Sequence, residues 1–197
     1  MITFDKFEQG LTEGKQVGPL YHFTTLPYTI SMIHNDIIKG RVRSKSCELP
    51  DNKCAISFTR DKNFNKKGGR IIQGQEVRLT LNGDKLSDNY KIVPYSYLGG
   101  STDISNVAFR KTMGDEMEEM VIVPKGGGVK KLSKYVTEIR IYNKEVIKVF
   151  PMYNFSNLFS LIGIDILNTK TKDDIYTLVD DCLKWFKGKG FKVAFEK

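Results

Sequence analysis

Three short stretches of this chain carry residues whose types and spacing suit chemistry. The first is His22, set in the middle of a β-prone segment, PLYHFT, at 19–24. The second is Ser57-Phe58-Thr59-Arg60-Asp61, where strand alternation puts Ser57 and Thr59 on one face and Ile56 and Phe58 on the other. The third is Asp115-Glu116-Met117-Glu118-Glu119, which runs straight into the apolar stretch Met120-Val121-Ile122-Val123 and ends at Pro124. A carboxylate at the mouth of an apolar strand, just after a loop, is how a rigid scaffold presents a catalytic acid. Each stretch also has a plainer reading: a strand histidine satisfied by backbone, an ordinary strand with Phe58 in the core, and an acidic cluster on a solvated face.

These residues need elements to hold them. Residues 19–24 read as a short strand. A helix follows from Pro27, with Ile30, Ile33, Ile37 and Ile38 at helical spacing, up to Gly40. Residues 1–12 read as another short helix with Phe4, Phe7 and Leu11 on one face. Residues 55–60 form a second strand, bounded by a basic, Gly-rich loop through Gly69, and residues 70–81 form a longer one before the turn signal Asn82-Gly83. Residues 90–97 are extended and interrupted by Pro94; residues 98–115 form an exposed loop. Residues 117–123 are apolar and β-prone, and Gly126 to Gly128 make a hinge or wide turn. Residues 136–142 and 145–150 read as a hairpin around Asn143-Lys144. The clearest helix spans 172–187: Thr171 caps it, Asp173 and Asp174 sit in its first turn, and Ile175, Leu178, Val179, Cys182 and Phe186 share a face. Gly188 or Gly190 ends it, and FKVAF is a last strand. Strands in the middle with helices early and late predict an α+β protein.

Composition narrows the classes. The chain has 197 residues, 40% of them hydrophobic and 27% charged, which suits one domain with a real core and excludes a disordered chain. No apolar run approaches the roughly 18–20 residues that cross a bilayer, and the start lacks a signal-peptide pattern, so no membrane partner and a cytoplasmic site are expected. Three cysteines without C-x-x-C spacing argue against a disulfide framework or a cysteine zinc site. Two histidines exclude a His-rich metal centre, and no metal is expected. G-x-G-x-x-G, P-loop and G-x-S-x-G motifs are all absent. The net charge is 31 − 23 = +8, a balance that fits a polyanionic partner. It is concentrated: residues 39–70 hold ten basic side chains against three acidic, and residues after Pro124 hold 14 against 8.

In this order, the three stretches resemble the ADP-ribosyltransferase superfamily. There a first strand carries an Arg or His, a second carries S-x-T or a Tyr, and a later strand begins with the catalytic Glu. The opening YHFT and the helix after it look like the start of DNA-targeting toxin-like and phage-encoded members. The blocks ISFTRDKNF and EVRLTLNGDKLSDNYKIVPY and the acidic pair before a strand are similar to the phage type. The resemblance spans roughly 20–150. It implies a split β-sheet core with flanking helices over 1–150, with 151–197 as a C-terminal helical extension packed on the core in a single domain overall. It also implies NAD as co-substrate and a host cytoplasm as the place of action if the chain is phage-encoded.

The resemblance assigns roles residue by residue. His22 would bond a ribose hydroxyl of NAD, with Thr24 of the same block beside it. Ser57 and Thr59 would support the site, one of them reaching the catalytic carboxylate. Glu119 would hold the nicotinamide ribose and stabilise the cation formed as nicotinamide leaves, with Glu118 as understudy. Arg60, or one of Arg41 and Arg43, would neutralise the diphosphate, and Phe64 would stack on the nicotinamide ring. The Arg-modifying members place a second acid two residues before the catalytic Glu. Here that position is Met117 if Glu119 acts, and Glu116 if Glu118 acts. Nucleic acid is the favoured acceptor and a host protein the second, with an antitoxin as a further partner. Lys62, Lys66, Lys67 and Arg70 are candidates for phosphate contacts. The alternative is a non-catalytic basic module: a nucleic-acid-binding, phage accessory or structural protein with the same shape.

Overall fold

The computed structural model describes residues 18–40, 52–64, 76–94, 118–142, 146, 156–164 and 171–196, and at Val93, Pro94, Glu118, Glu119, Ser156 and Asn157 the backbone position. The expected helix at 1–12, the loop at 98–115, Arg41, Arg43 and most of the expected strand at 145–150 lie outside those residues. The chain divides into two compact units, and the division falls inside the first strand, between Tyr21 and His22.

The first unit is built on β1 (Pro19–Thr24) as far as Tyr21, β3 (Lys53–Thr59), β5 (Lys91–Pro94) and β6 (Glu118–Pro124), in the order β5–β6–β3–β1. Each neighbour is antiparallel. Because β3 lies between two strands and is covered on both faces, Cys54, Ala55, Ile56, Phe58 and Thr59 are all buried. Met120, Val121 and Val123 of β6 join them. Phe58 and Met120 are at most 2% exposed, and burying a side chain of that kind stabilises by about 1.5–3 kcal/mol.

Past β6 the glycines form a tight turn rather than the hinge or wide turn expected: the Gly127 N–H donates to the Pro124 carbonyl at 2.8 Å, and Gly126 takes φ 74°. The chain then enters β7 (Gly128–Lys130), which pairs with β2 (Ile37–Lys39). Gly40 follows β2 at a close approach, since a Cβ there would lie 2.7 Å from Val123 Cγ2 and 2.9 Å from Cys54 Cβ.

The second unit holds helix α1 (Leu26–His34), strands β4 (Val77–Asn82), β8 (Val136–Tyr142) and β9 (Val193–Glu196), and helix α4 (Lys172–Gly188); helices α2 (Gly83–Ser87), in the first unit, and α3 (Ser156–Ser160), in the second, are single turns. Thr25 caps α1, and Pro27 sits in its first turn as its missing N–H permits. The helix stops at Asn35 instead of running to Gly40. Asp36 takes φ 51°, its carboxylate accepts from the Ser133 N–H at 2.7 Å, and Ile37 and Ile38 fall on β2. Helical spacing alone could not register that long-range anchor. The Asn82-Gly83 signal likewise resolves differently: Asn82 Oδ1 accepts from the Lys85 N–H at 3.0 Å and caps α2, so the pair opens a helix rather than closing a hairpin.

Strand β4 alternates Val77, Leu79 and Leu81 in the core with Arg78 and Thr80 on the other face. It pairs antiparallel with β8, with a register shift between Thr80 and Leu81, and β8 pairs parallel with β9. Helix α4 carries the expected cap: Thr171 Oγ1 accepts from the Asp174 N–H at 3.1 Å, and Asp174 accepts from the Thr171 N–H at 2.8 Å. Its buried residues are Ile175, Leu178, Val179, Cys182 and Phe186, the stripe read from the sequence. Mostly antiparallel strands with few helices make this an α+β protein.

Candidate active site

Strand β3 positions the S-x-T pair. Ser57 is half-buried and Thr59 is 4% exposed, while Phe58 between them is 2% exposed. The strand ends in a turn fastened by its own side chains. Thr59 Oγ1 accepts from the Asp61 N–H at 3.1 Å, Asp61 Oδ1 accepts from the Asn63 N–H at 2.9 Å, and the Phe64 N–H donates to the Asp61 carbonyl at 3.2 Å. Asp and Thr are the residues that hold such turns against their own backbone. Arg60, inside the turn, is exposed, and Phe64 is half-buried at its end.

The register of the first unit sorts the candidates into rows. Tyr21 of β1 pairs with Thr59 of β3, and Thr59 pairs with Glu118 of β6. The next row joins Phe58, Glu119 and Pro94, and the one after it Ser57, Met120 and Val93. Directly opposed residues on neighbouring antiparallel strands have Cα atoms about 4.5–5.5 Å apart. The register therefore brings residue 118 level with a hydroxyl-bearing threonine and residue 119 level with a buried phenylalanine. His22 and Thr24 lie further along β1, His22 half-buried and Thr24 7% exposed. No known protein family, curated protein or solved structure matches this chain.

Two residues that carry structure near these elements have no local signature. Tyr21 enters through its pairing with Thr59. Glu76 is fully buried, and its Oε1 accepts from the Leu26 N–H at 2.6 Å, so a carboxylate meets the positive end of α1 directly after β1. The two are 50 positions apart in sequence. The alternation Val77, Leu79, Leu81 sets Glu76 and Arg78 off the core face, and only the pairing of distant segments reveals the clamp.

The second unit uses charge differently. Glu138 Oε1 accepts from Arg78 and from Arg140, each at 3.1 Å; Lys192 Nζ is 3.9 Å from Oε2, and Arg140 reaches Glu196 at 3.8 Å. Burial alone would raise the pKa of Glu138, but hydrogen bonding and charge from Arg140, joined by Arg78, hold its carboxyl below the usual 4.5. Cys182 is pushed up to about 12 by burial and by the charge of Asp181, so it is a core thiol at neutral pH. Among the described residues, no group of three or more His, Cys, Asp or Glu is arranged to hold a metal, and no helix is long and apolar enough to cross a membrane.

Proposed function

We propose that the chain transfers ADP-ribose from NAD to a macromolecular acceptor, nucleic acid before protein, with Glu118 as the working carboxylate. The observation that carries the reading is the row Tyr21–Thr59–Glu118 on neighbouring strands. The resemblance asks for a first strand, an S-x-T strand and a glutamate strand, with a hydroxyl of the second reaching the acid of the third. The adjacency of β1, β3 and β6 supports the first requirement, and the pairing of Thr59 with Glu118 supports the second. With Glu118 the second acid of the Arg-modifying members falls at Glu116, which keeps a protein as the second acceptor. The basic excess supports a polyanionic acceptor.

Each role follows from the residue type. NAD is a dianion at its diphosphate, and Arg60 offers a planar fork of donors that matches phosphate oxygens where lysine offers a point charge. His22 bonds a ribose hydroxyl, with Thr24 in the same block. Ser57 and Thr59 orient the carboxylate, and Phe64 offers a ring for the nicotinamide. Glu118 stabilises the positive charge that develops at the anomeric carbon as its bond to the nicotinamide nitrogen lengthens, an interaction stronger in the transition state than in the ground state. That carbon–nitrogen bond breaks, nicotinamide leaves neutral with the electron pair, and the acceptor's nucleophilic atom forms the new bond and releases its proton to water.

The test is nicotinamide release from NAD by the purified chain, alone and with DNA, RNA or protein added. Release that the double substitution Glu118→Gln/Glu119→Gln abolishes supports the reading, and the additive that raises the rate names the acceptor. No release under any condition leaves a basic binding module.

A further inference from the structure

The C-terminal end of α4 carries exposed lysines and the only tryptophan in the chain. The helix closes by bonds that leave little freedom: the Lys189 N–H donates to the Trp185 carbonyl at 3.1 Å, the Gly190 N–H to Lys187 at 2.9 Å, and the Phe191 N–H to Phe186 at 3.2 Å. Gly190 takes φ 88°, the left-handed position that ends helices and that glycine fills without strain. One residue beyond Phe191, the Lys192 carbonyl accepts from the Ile139 N–H at 2.9 Å, which ties the corner to β8. Lys187 and Lys189 are exposed, and the Lys192 side chain is 76% exposed. Trp185 is half-buried, set edge-on against buried Phe186 with ring centroids 5.2 Å apart, and Lys189 Nζ lies 5.7 Å from its ring centroid.

Lysines in a last helical turn are also what the helix dipole favours. That accounts for Lys187 and Lys189, and Glu138 at 3.9 Å answers Lys192, but neither accounts for a large aromatic ring kept partly in water beneath a lysine. Cations spaced around a stackable ring are what single-stranded nucleic acid requires, because its backbone needs positive charge at each phosphate and its unpaired bases need a flat partner. A duplex satisfies only the first need, since its bases are already stacked on one another.

We infer that the corner formed by Trp185, Lys187 and Lys189 docks a single-stranded nucleic acid, the lysines on phosphates and the indole under a base. Its role as the acceptor dock rests on the transferase reading; the binding itself does not. The backbone of the corner is already closed by these bonds, so the ordering cost of docking falls on the lysine side chains.

The experiment uses the full chain and a fluorescein-labelled oligothymidylate of about 20 nucleotides, followed by anisotropy and by emission of Trp185 across a salt series. The expected result is binding with quenched tryptophan emission and a log–log salt slope of about −1.4, the value two phosphate contacts produce on a single strand. Lys187→Glu with Lys189→Glu should weaken binding roughly tenfold or more at about 0.15 M salt. The same charge change at two other exposed lysines, Lys134→Glu with Lys172→Glu, should leave it within about threefold. Absent binding, unquenched tryptophan, or equal loss in both pairs overturns the proposal. Nicotinamide release from NAD without oligonucleotide, measured on the same variants, should be unchanged. Oligonucleotide binding at the corner without nicotinamide release anywhere would sink the transferase reading and keep the dock. Release stimulated only by protein, with no oligonucleotide bound, would sink the dock and keep the transferase.

Discussion

The β3–β6 pair of the first unit and the β4–β8 pair of the second are both antiparallel ladders carrying charge, and they spend it in opposite ways. On β4–β8, Arg78 and Arg140 stand directly opposite each other, a pairing that repels, and Glu138 resolves it by accepting from both. Lys192 and Glu196 extend the set to the neighbouring chain segment, so these charges answer one another. On β3–β6, the register partners of Glu118 and Glu119 are Thr59, Phe58 and Pro94, none of them ionic. Charge arranged in mutual pairs is scaffold. On β3–β6 the register instead sets Glu118 level with Thr59, and this contrast directs the proposed function to the first unit.

The contrast can be broken at several points. The largest effect on stability is expected from Phe58→Ala, which empties a site 2% exposed in the strand that aligns Ser57 and Thr59. A loss of about 3–5 kcal/mol in urea unfolding is expected. A cost under about 1 kcal/mol would mean that β3 is not the buried centre of its unit.

Glu138→Gln should come next, at about 1–3 kcal/mol near neutral pH, because it removes the carboxylate that Arg78 and Arg140 share. Its sign with pH follows from linkage. The folded carboxyl lies below 4.5, so its stabilisation is present above that value and fades as pH falls through the lower folded value. Wild type should therefore lose stability on acidification more steeply than the glutamine variant, and the gap between the two should close once pH falls below the lowered folded value. Parallel curves would mean that the network is decorative.

Thr171→Ala removes one half of the capping box at the start of α4 and should cost about 1 kcal/mol, read from the thermal midpoint. Because the cap is at the opposite end of the helix from Trp185, oligonucleotide binding should persist; its loss would make the corner depend on the whole helix.

What the sequence disclosed and what it hid divide along the range of the interactions. Strand 19–24, strand 136–142 and the helix from Lys172 with its Thr171 cap were readable because alternation, helical spacing and a capping pair are encoded within a few residues. Residues 35–40 misled because Ile37 and Ile38 keep helical spacing, while the feature that ends the helix, Asp36 held by Ser133, is 97 positions away. Asn82-Gly83 misled because its turn chemistry serves equally well to cap a helix. The three candidate stretches were visible as residue types, but whether residue 118 or 119 stands opposite Thr59 depends on how two strands about 60 residues apart align, and a slip of one residue exchanges the two. The clamp of Glu76 on Leu26 and the pairing of Arg78 with Glu138 are hidden for the same reason.

The most direct test of the account is the rate of nicotinamide release from NAD by Glu118→Gln and Glu119→Gln, each alone, beside wild type. The row joining Tyr21, Thr59 and Glu118 predicts a loss of about a hundredfold or more in Glu118→Gln and a change within about tenfold in Glu119→Gln. The reverse order, with Glu119→Gln inactive and Glu118→Gln close to wild type, would contradict the assignment of the working carboxylate to the threonine row.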